Sequence, residues 1–353
     1  MSEPLPPRRN PDIFGQEEAE RRLVAALESG RLPHAWLLTG KAGIGKATLA
    51  YRLVRFLLAR PEGRSGLAGD LSLDPEEPAF RQVAAGAHPD LLVLERRMNE
   101  KTGKLRSEIL VEEVRAAAQG LRRTASAGGW RLLVVDSADE LNRSAANGLL
   151  KLLEEPPPRS LLLLISHAPA RLLPTIRSRC CSLPLAPLEA PLVERLLQEH
   201  QPELSEEERR VLAALAEGSI GQALALQRAG GLELYRRLLE LLNRSGQGLD
   251  AAAAHGFAEE LARGAGDERF RTAFDLLTWW LARMIRAAAG RRLPPALTAE
   301  ESGLAARLLD RRTLADWVGL WEKLSALARS CERANLDRKQ AFLSALIELE
   351  AAG

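Results

Sequence analysis

Apolar residues in the first half of the chain follow two alternating patterns. Short unbroken apolar runs predict strands buried on both faces, and longer stretches with apolar residues three and four apart predict amphipathic helices. Strands separated by such helices are typical of a parallel sheet with crossover helices. We therefore predict an α/β domain with a five-stranded parallel sheet. Its strands are Trp36 to Thr39, Leu91 to Leu94, Leu132 to Val135, Leu161 to Ile165 and Cys181 to Leu185.

Three of the segments between these strands have a helical period. They run from Leu49 to Leu58, from Val111 to Leu121 and from Ala145 to Leu153. The third helix is predicted to end before Pro156, because proline cannot continue a helix. Residues 61–90 are rich in glycine, proline and acidic residues, and this composition predicts a surface insertion.

The second half of the chain has a different pattern. After Pro187 no strand pattern recurs, and helical periods separated by glycine and proline continue to the end. We predict three domains: the α/β domain over 1–187, a small helical domain over 188–245 and an all-α domain over 246–353. Apolar stripes in the last domain predict subunit contacts; they comprise Leu304, Leu308, Leu309, Trp317, Leu320 and Leu324.

Composition excludes several classes of protein. With 49 Lys and Arg against 47 Asp and Glu among 353 residues, the formal charge of +2 does not indicate a nucleic-acid partner. No run of about 20 apolar residues predicts a membrane helix, and the N-terminus lacks the apolar stretch of a signal peptide, so we expect a cytoplasmic protein without a membrane partner. The 3 cysteines form no CxxC pair, so neither a disulfide framework nor a zinc ribbon is expected.

A glycine-rich turn follows the first predicted strand and opens a helix. Gly40, Gly43 and Gly45 allow backbone N–H groups to approach a phosphate, and Lys46 can reach the β and γ phosphates. The strand before the turn and the helix after it are the context of a phosphate-binding loop. A glycine-rich turn that binds nothing is the alternative interpretation.

Two features of the sequence argue against hydrolysis, one within this motif and one after a later strand. The position after the lysine, which normally supplies a hydroxyl to Mg²⁺, is Ala47, and Thr48 stands one residue later, about 100° around the helix. Asp136 ends an apolar strand and is a candidate metal-binding acid, but Ser137 follows it where a general base would stand. Asp139 is an alternative, displaced acid. We expect any ATP or ADP to bind weakly.

A third motif, Ser178-Arg179-Cys180, completes the set. With residues 34–50 and 128–157 it resembles the clamp-loader branch of the AAA+ ATPases, and the resemblance covers the α/β domain in order. It implies that the two helical regions are a lid and a collar domain. It also implies a five-membered ring within the DNA polymerase III holoenzyme that places a sliding clamp on primed DNA.

Within that family the chain is similar to the stator, which does not hydrolyse ATP. The resemblance implies that Arg179 is an arginine finger donated in trans to a neighbouring ATPase subunit, with Ser178 beside it. The glycine at position 221 stands where motor subunits carry a phosphate-sensing arginine. The implied partners are the gamma/tau and delta subunits, the sliding clamp and primer-template DNA. No cofactor is required, and residues 59–90 lack the cysteines of the zinc module found in many members. The alternative function is an active AAA+ motor, in a clamp loader or in another DNA transaction.

Overall fold

The computed structural model describes residues 5–60, 69–99, 103, 105–123, 129–244, 250–262, 267–290, 295–301, 303–309, 312–334 and 337–351. The chain separates into two compact units, Met1–Leu192 and Val193–Gly353. The predicted division between residues 245 and 246 lies outside the described residues, and the three-domain scheme stays a prediction.

The first unit is built on a parallel five-stranded sheet, as predicted. Its spatial order is β2-β3-β4-β1-β5, so β4 lies between β1 and β3. Each predicted strand is present to within one residue at either end. The strands are β1 (Ala35–Thr39), β2 (Leu91–Leu94), β3 (Arg131–Asp136), β4 (Ser160–Ser166) and β5 (Cys181–Pro184).

Six helices of this unit cover the two faces of the sheet. The helices are α1 (Glu17–Glu28), α2 (Lys46–Ala59), α3 (Pro78–Ala84), α4 (Val111–Leu121), α5 (Arg143–Glu154) and α6 (Pro174–Arg177). Alternate strand residues face opposite sides: Leu132 and Val134 pack with α1, α2 and α3, whereas Leu133 and Val135 pack with α4, α5 and α6. Because both faces are covered, the strands are apolar throughout.

The predicted surface insertion contributes to the core instead. Residues 61–68 lie outside the described residues, but the remainder forms α3, and Leu71, Phe80 and Val83 are buried. The composition of the segment was misleading because its few apolar residues, separated by polar ones, are those that pack on the sheet-facing helices.

Buried charge joins the N-terminal segment to α1 and α2. Glu20 of α1 accepts hydrogen bonds from Arg52 Nε at 3.0 Å and from the Leu71 backbone N–H at 3.1 Å. The guanidinium of Arg55 donates to the Asn10 carbonyl at 2.8 Å. Since a buried charge is tolerated only when it is paired, these bonds fix the path of the chain that leads into the sheet.

The second unit is helical in every element that the structure describes. The helix α7 (Ala190–His200) spans the division between the units. It is followed by α8 (Glu206–Ala216), α9 (Ile220–Arg228), α10 (Gly231–Arg244), α11 (Ala251–Ala262), α12 (Asp267–Gly290), α13 (Leu304–Leu309), α14 (Leu314–Ala334) and α15 (Arg338–Ala351). Within this unit α10 packs on α12, α12 on α14, and α11 on α15.

The apolar stripes predicted to contact other subunits belong to the core of this unit. Trp317 is fully buried and lies edge-on to Trp280, with ring centroids 6.4 Å apart. Leu304, Leu320 and Leu324 are also buried, and Leu308 and Leu309 are half-buried. The prediction was wrong because a helical period shows which residues share a face, but not whether the same chain covers that face. Among the described residues of α14, the exposed large apolar side chains are those of Leu314, Val318 and Trp321.

Among the described residues, no helix has the length and apolar character needed to cross a bilayer.

We expect Glu20→Ala to destabilise the α/β domain. The substitution leaves the buried guanidinium of Arg52 without its carboxylate, and breaking a buried pair in this way costs about 3–5 kcal/mol. A loss of that size lowers the melting temperature by about 6–20 °C, which differential scanning calorimetry of the full chain measures.

Glu18→Ala is the matched control, because Glu18 pairs with Arg21 on the exposed face of the same helix. Its effect should stay below about 1 kcal/mol. Equal melting temperatures for the two variants would show that the buried pair of Glu20 and Arg52 does not stabilise the domain.

Candidate functional site

The glycine-rich loop that is predicted to bind phosphate, called the phosphate loop below, spans residues 40–46 and lies at the carboxyl edge of the sheet, where β1 ends. Gly40, Gly43 and Gly45 have φ values of 136°, 75° and 101°, which side chains disfavour. A Cβ on Gly40 would lie 2.7 Å from the Leu185 carbonyl oxygen. The first glycine is therefore required by the close approach of two chain segments as well as by the loop conformation.

Lys46, the first residue of α2, is turned back onto this loop. Its side chain is buried, and Nζ donates to the carbonyl oxygens of Gly40, at 2.6 Å, and Lys41. Burial lowers its pKa to about 8, against the opposing effect of Asp136 and Asp139. The ammonium thus has acceptors within its own loop.

Gln16 braces the loop and was not singled out from the sequence. Its buried Nε2 donates to the Ile44 carbonyl at 3.1 Å and to the Ala186 carbonyl at 2.9 Å. It thereby joins the loop to the segment that follows β5. A polar residue just before a helix gives no sequence signal for such a bridge, because its partners lie far away along the chain.

Acidic side chains surround Asp136 at the same edge. Burial, together with the carboxylates of Glu95 and Glu140, raises the pKa of Asp136 to about 6, although Lys46 opposes this shift. Glu95 directly follows β2, and its position at the carboxyl end of a parallel strand was the signal that could have identified it. Nearby carboxylates disfavour a phosphate unless a cation lies between them.

Asp139 has a structural role in this arrangement. It accepts hydrogen bonds from Ser137 Oγ at 3.0 Å and Ser166 Oγ at 2.7 Å, and from the backbone N–H groups of His167 and Ala168. Burial alone would raise the pKa of Asp139, but these bonds outweigh burial and lower it. A carboxylate so fully engaged is a poor general base, and it ties the loop after β3 to the loop after β4.

The remaining candidate positions for a metal ligand are the two residues that follow Lys46 on α2. Ala47 follows Lys46 and presents no hydroxyl, and Thr48 is buried on α2. Within the described part of the chain, no group of three or more His, Cys, Asp and Glu side chains is arranged to hold a metal ion. Nucleotide binding at this loop stays a prediction, and so does the absence of zinc.

The Ser178-Arg179-Cys180 motif lies at the opposite, amino edge of the sheet, between α6 and β5. Ser178 Oγ donates to the Thr175 carbonyl at 3.2 Å, and burial raises the pKa of the Cys180 thiol to about 12, so neither residue is activated for chemistry. Arg179 is 37% exposed, and its Nη2 lies 2.8 Å from Oε1 of Glu154, the last residue of α5.

The structure thus brings Lys46 and Asp136 together and separates both from Arg179. A strand of four or five residues lies between the two edges, about 13–17 Å at 3.3 Å per residue. That separation exceeds the reach of an arginine side chain. Arg179 can complete a phosphate site only if the site belongs to another subunit.

Comparisons with known proteins agree with the motifs. The chain matches the family described as DNA polymerase III, delta subunit, over residues 15–189. Subunit delta′ of DNA polymerase III from Pseudomonas aeruginosa is 39% identical over 59% of this chain and 62% of that protein. The Escherichia coli delta′ subunit is 33% identical over 63% of this chain and 62% of that protein.

The tau subunit of DNA polymerase III from Escherichia coli is also similar, with 29% identity over 62% of this chain and 32% of that protein. The alignments with the two delta′ relatives cover less than two thirds of the length of each relative.

We expect Asp136→Asn to stabilise the chain at neutral pH. The folded state raises the pKa of this carboxyl from 3.8 to about 6 and holds its proton more tightly, so its contribution to stability falls as the pH rises through that window. Removing the charge should gain on the order of 3 kcal/mol at pH 7 and less at pH 4.5, measured by thermal melts across that range.

Asp139→Asn should act in the opposite direction. The folded pKa of Asp139 lies below its ordinary value, so its contribution is present above 3.8 and is lost as the pH falls. The variant should be destabilised at pH 7. If Asp136→Asn destabilised the chain at pH 7, this would contradict the claim that the ionised Asp136 carboxylate is unfavourable in the folded state.

Proposed function

We propose that the chain is the stator of a bacterial clamp loader, because residues 15–189 match the family described as DNA polymerase III, delta subunit. The resemblance to the clamp-loader branch of the AAA+ ATPases is confirmed. In the proposed role the chain hydrolyses no ATP itself. It donates Arg179 to the ATP site of a neighbouring subunit and helps to place a sliding clamp on primed DNA.

The position of Arg179 is the observation that carries this proposal. The guanidinium is partly exposed at the amino edge, whereas the phosphate loop of the same chain lies at the carboxyl edge. Arginine is suited to a role in trans because its planar, permanently charged group can neutralise the charge that develops on the transferred phosphoryl group. An arginine of this kind serves a neighbour rather than its own loop.

The geometry of the phosphate loop supports the absence of hydrolysis. Ala47 supplies no Mg²⁺ ligand, Ser137 is engaged with Asp139, and the acidic side chains around Asp136 disfavour a polyphosphate without its metal. Lys46 has acceptors in its own loop. Each feature removes a different requirement of phosphoryl transfer.

The proposed partners follow from the same role. We infer an ATPase subunit of the gamma/tau type beside Arg179, a delta subunit, the sliding clamp and primer-template DNA within the assembled ring. The exposed residues Leu314, Val318 and Trp321 lie on one face of α14, and they support a contact of the second unit with other subunits.

An active motor subunit is the second candidate function. The similarity to the tau subunit, together with the retained Lys46 and Asp136, favours it. The absence of a hydroxyl at position 47 and of a free base next to Asp136 argues against it.

We expect the purified chain to show no ATP turnover above background, with or without primed DNA, because its loop lacks both a metal ligand and a base. A coupled phosphate-release assay measures this. Turnover near the 1–100 s⁻¹ that is typical of phosphoryl-transfer enzymes would establish the motor function instead.

We expect Arg179→Ala to lower ATP hydrolysis by a reconstituted loader while leaving the melting temperature of the chain unchanged. An arginine finger accelerates the site it completes by about 10³–10⁵, whereas the exposed pair with Glu154 adds little to stability. Total turnover should fall in part, since other sites keep their own arginines. Arg179→Lys should fail as well, because a point charge cannot replace the planar fork.

Arg177→Ala is the matched control for this experiment. Arg177 is exposed, carries the same charge two residues away and makes no ion pair within the described part of the chain. It should leave turnover unchanged. Native turnover in the loader that contains Arg179→Ala would remove Arg179 from the mechanism.

A further inference from the structure

The guanidinium of Arg179 is engaged at both terminal nitrogens within its own chain. Nη2 lies 2.8 Å from Glu154 Oε1, and Nη1 donates to the Thr175 carbonyl at 3.1 Å. A finger must offer its N–H groups to a phosphate of the neighbouring subunit. The internal partners therefore compete for the same donors.

Glu154 is held at this place by the fold. It is the last residue of α5, and the carbonyl of the preceding Leu153 lies 3.0 Å from Nε2 of His34, which comes just before β1. The end of α5 is thus fixed at the amino edge, where Arg179 also lies. Neither side chain is buried, with 37% of Arg179 and 47% of Glu154 exposed, so the pair can open without exposing a core.

We propose that Glu154 is a positioning residue that holds Arg179 in a resting ion pair, which the neighbour's phosphate must displace before the finger can act. The inference rests on the proposed function of Arg179. Carboxylate and phosphate are both oxyanions that bind the planar guanidinium group. Arg179 can therefore leave Glu154 and bind the neighbour's phosphate instead. The strength of the pair with Glu154 thereby sets the fraction of Arg179 side chains that are free to bind a phosphate.

The test is ATP turnover by a loader reconstituted from the full chain and its gamma/tau-type and delta subunits, with primed DNA and clamp. Turnover lost in Arg179→Ala defines the part that depends on the finger. Glu154→Gln keeps the size of the side chain and removes its charge. We expect it to raise the finger-dependent kcat about two- to fivefold, the range that an exposed ion pair allows, with KM for ATP unchanged.

Salt dependence separates this role from a merely structural one. Screening weakens the resting pair in the native chain, so the ratio of the Glu154→Gln rate to the native rate should approach one as the salt concentration rises. Glu155→Gln is the matched control, because Glu155 is exposed and makes no ion pair among the residues described. It should leave the rate unchanged at every salt concentration.

The outcomes distinguish the inference from the function on which it rests. If Arg179→Ala lowers turnover but Glu154→Gln leaves it unchanged or lowers it, Glu154 does not restrain the finger and only the inference is overturned. If Arg179→Ala has no effect, both fail. A double variant with the turnover of Arg179→Ala alone would confirm that Glu154 acts through Arg179.

Discussion

Parallel pairing of five strands is the constraint on which the rest of the molecule depends. All carboxyl ends meet at one edge and all amino ends at the other, so a loop that follows β1 and a turn that precedes β5 cannot meet. The two motifs are adjacent in the sheet order yet lie a strand length apart. A chain of this topology can present an arginine to a neighbour while its own phosphate loop faces the other way.

Burial and charge set the electrostatics of the carboxyl edge. Asp136 sits near the acidic groups of Glu95 and Glu140, and burial together with these carboxylates raises its pKa, although Lys46 opposes the shift. Lys46 itself is buried, and its ammonium group donates hydrogen bonds to carbonyl oxygens of its own loop. A metal ion would relieve this repulsion, but the position after Lys46, where a phosphate-binding loop normally carries a hydroxyl for Mg²⁺, is Ala47.

The sheet could be predicted from the sequence because unbroken apolar runs of four to seven residues have one stable arrangement, a parallel strand covered on both faces. Spacing alone also placed the glycine-rich loop between the end of β1 and the start of α2. The sequence could not predict which part of the apolar face of α14 is buried, since Trp317 and Trp321 follow the same helical period although only Trp317 is buried. Gln16, Glu95 and Glu154 were missed because their partners come from distant segments that only the folded sheet brings together.

The residues around the phosphate loop also connect it to the rest of the sheet. Gly40 is fixed by the approach of the Leu185 carbonyl, and Gln16 bonds the loop to the segment after β5. Asp139 in turn closes the loops after β3 and β4. These contacts connect the carboxyl ends of neighbouring strands, so losing them would loosen the sheet that holds Arg179 at its far edge. Ala47 makes none of these bonds, so the position after Lys46 can vary without breaking them, whereas a side chain at Gly40 would collide with the Leu185 carbonyl.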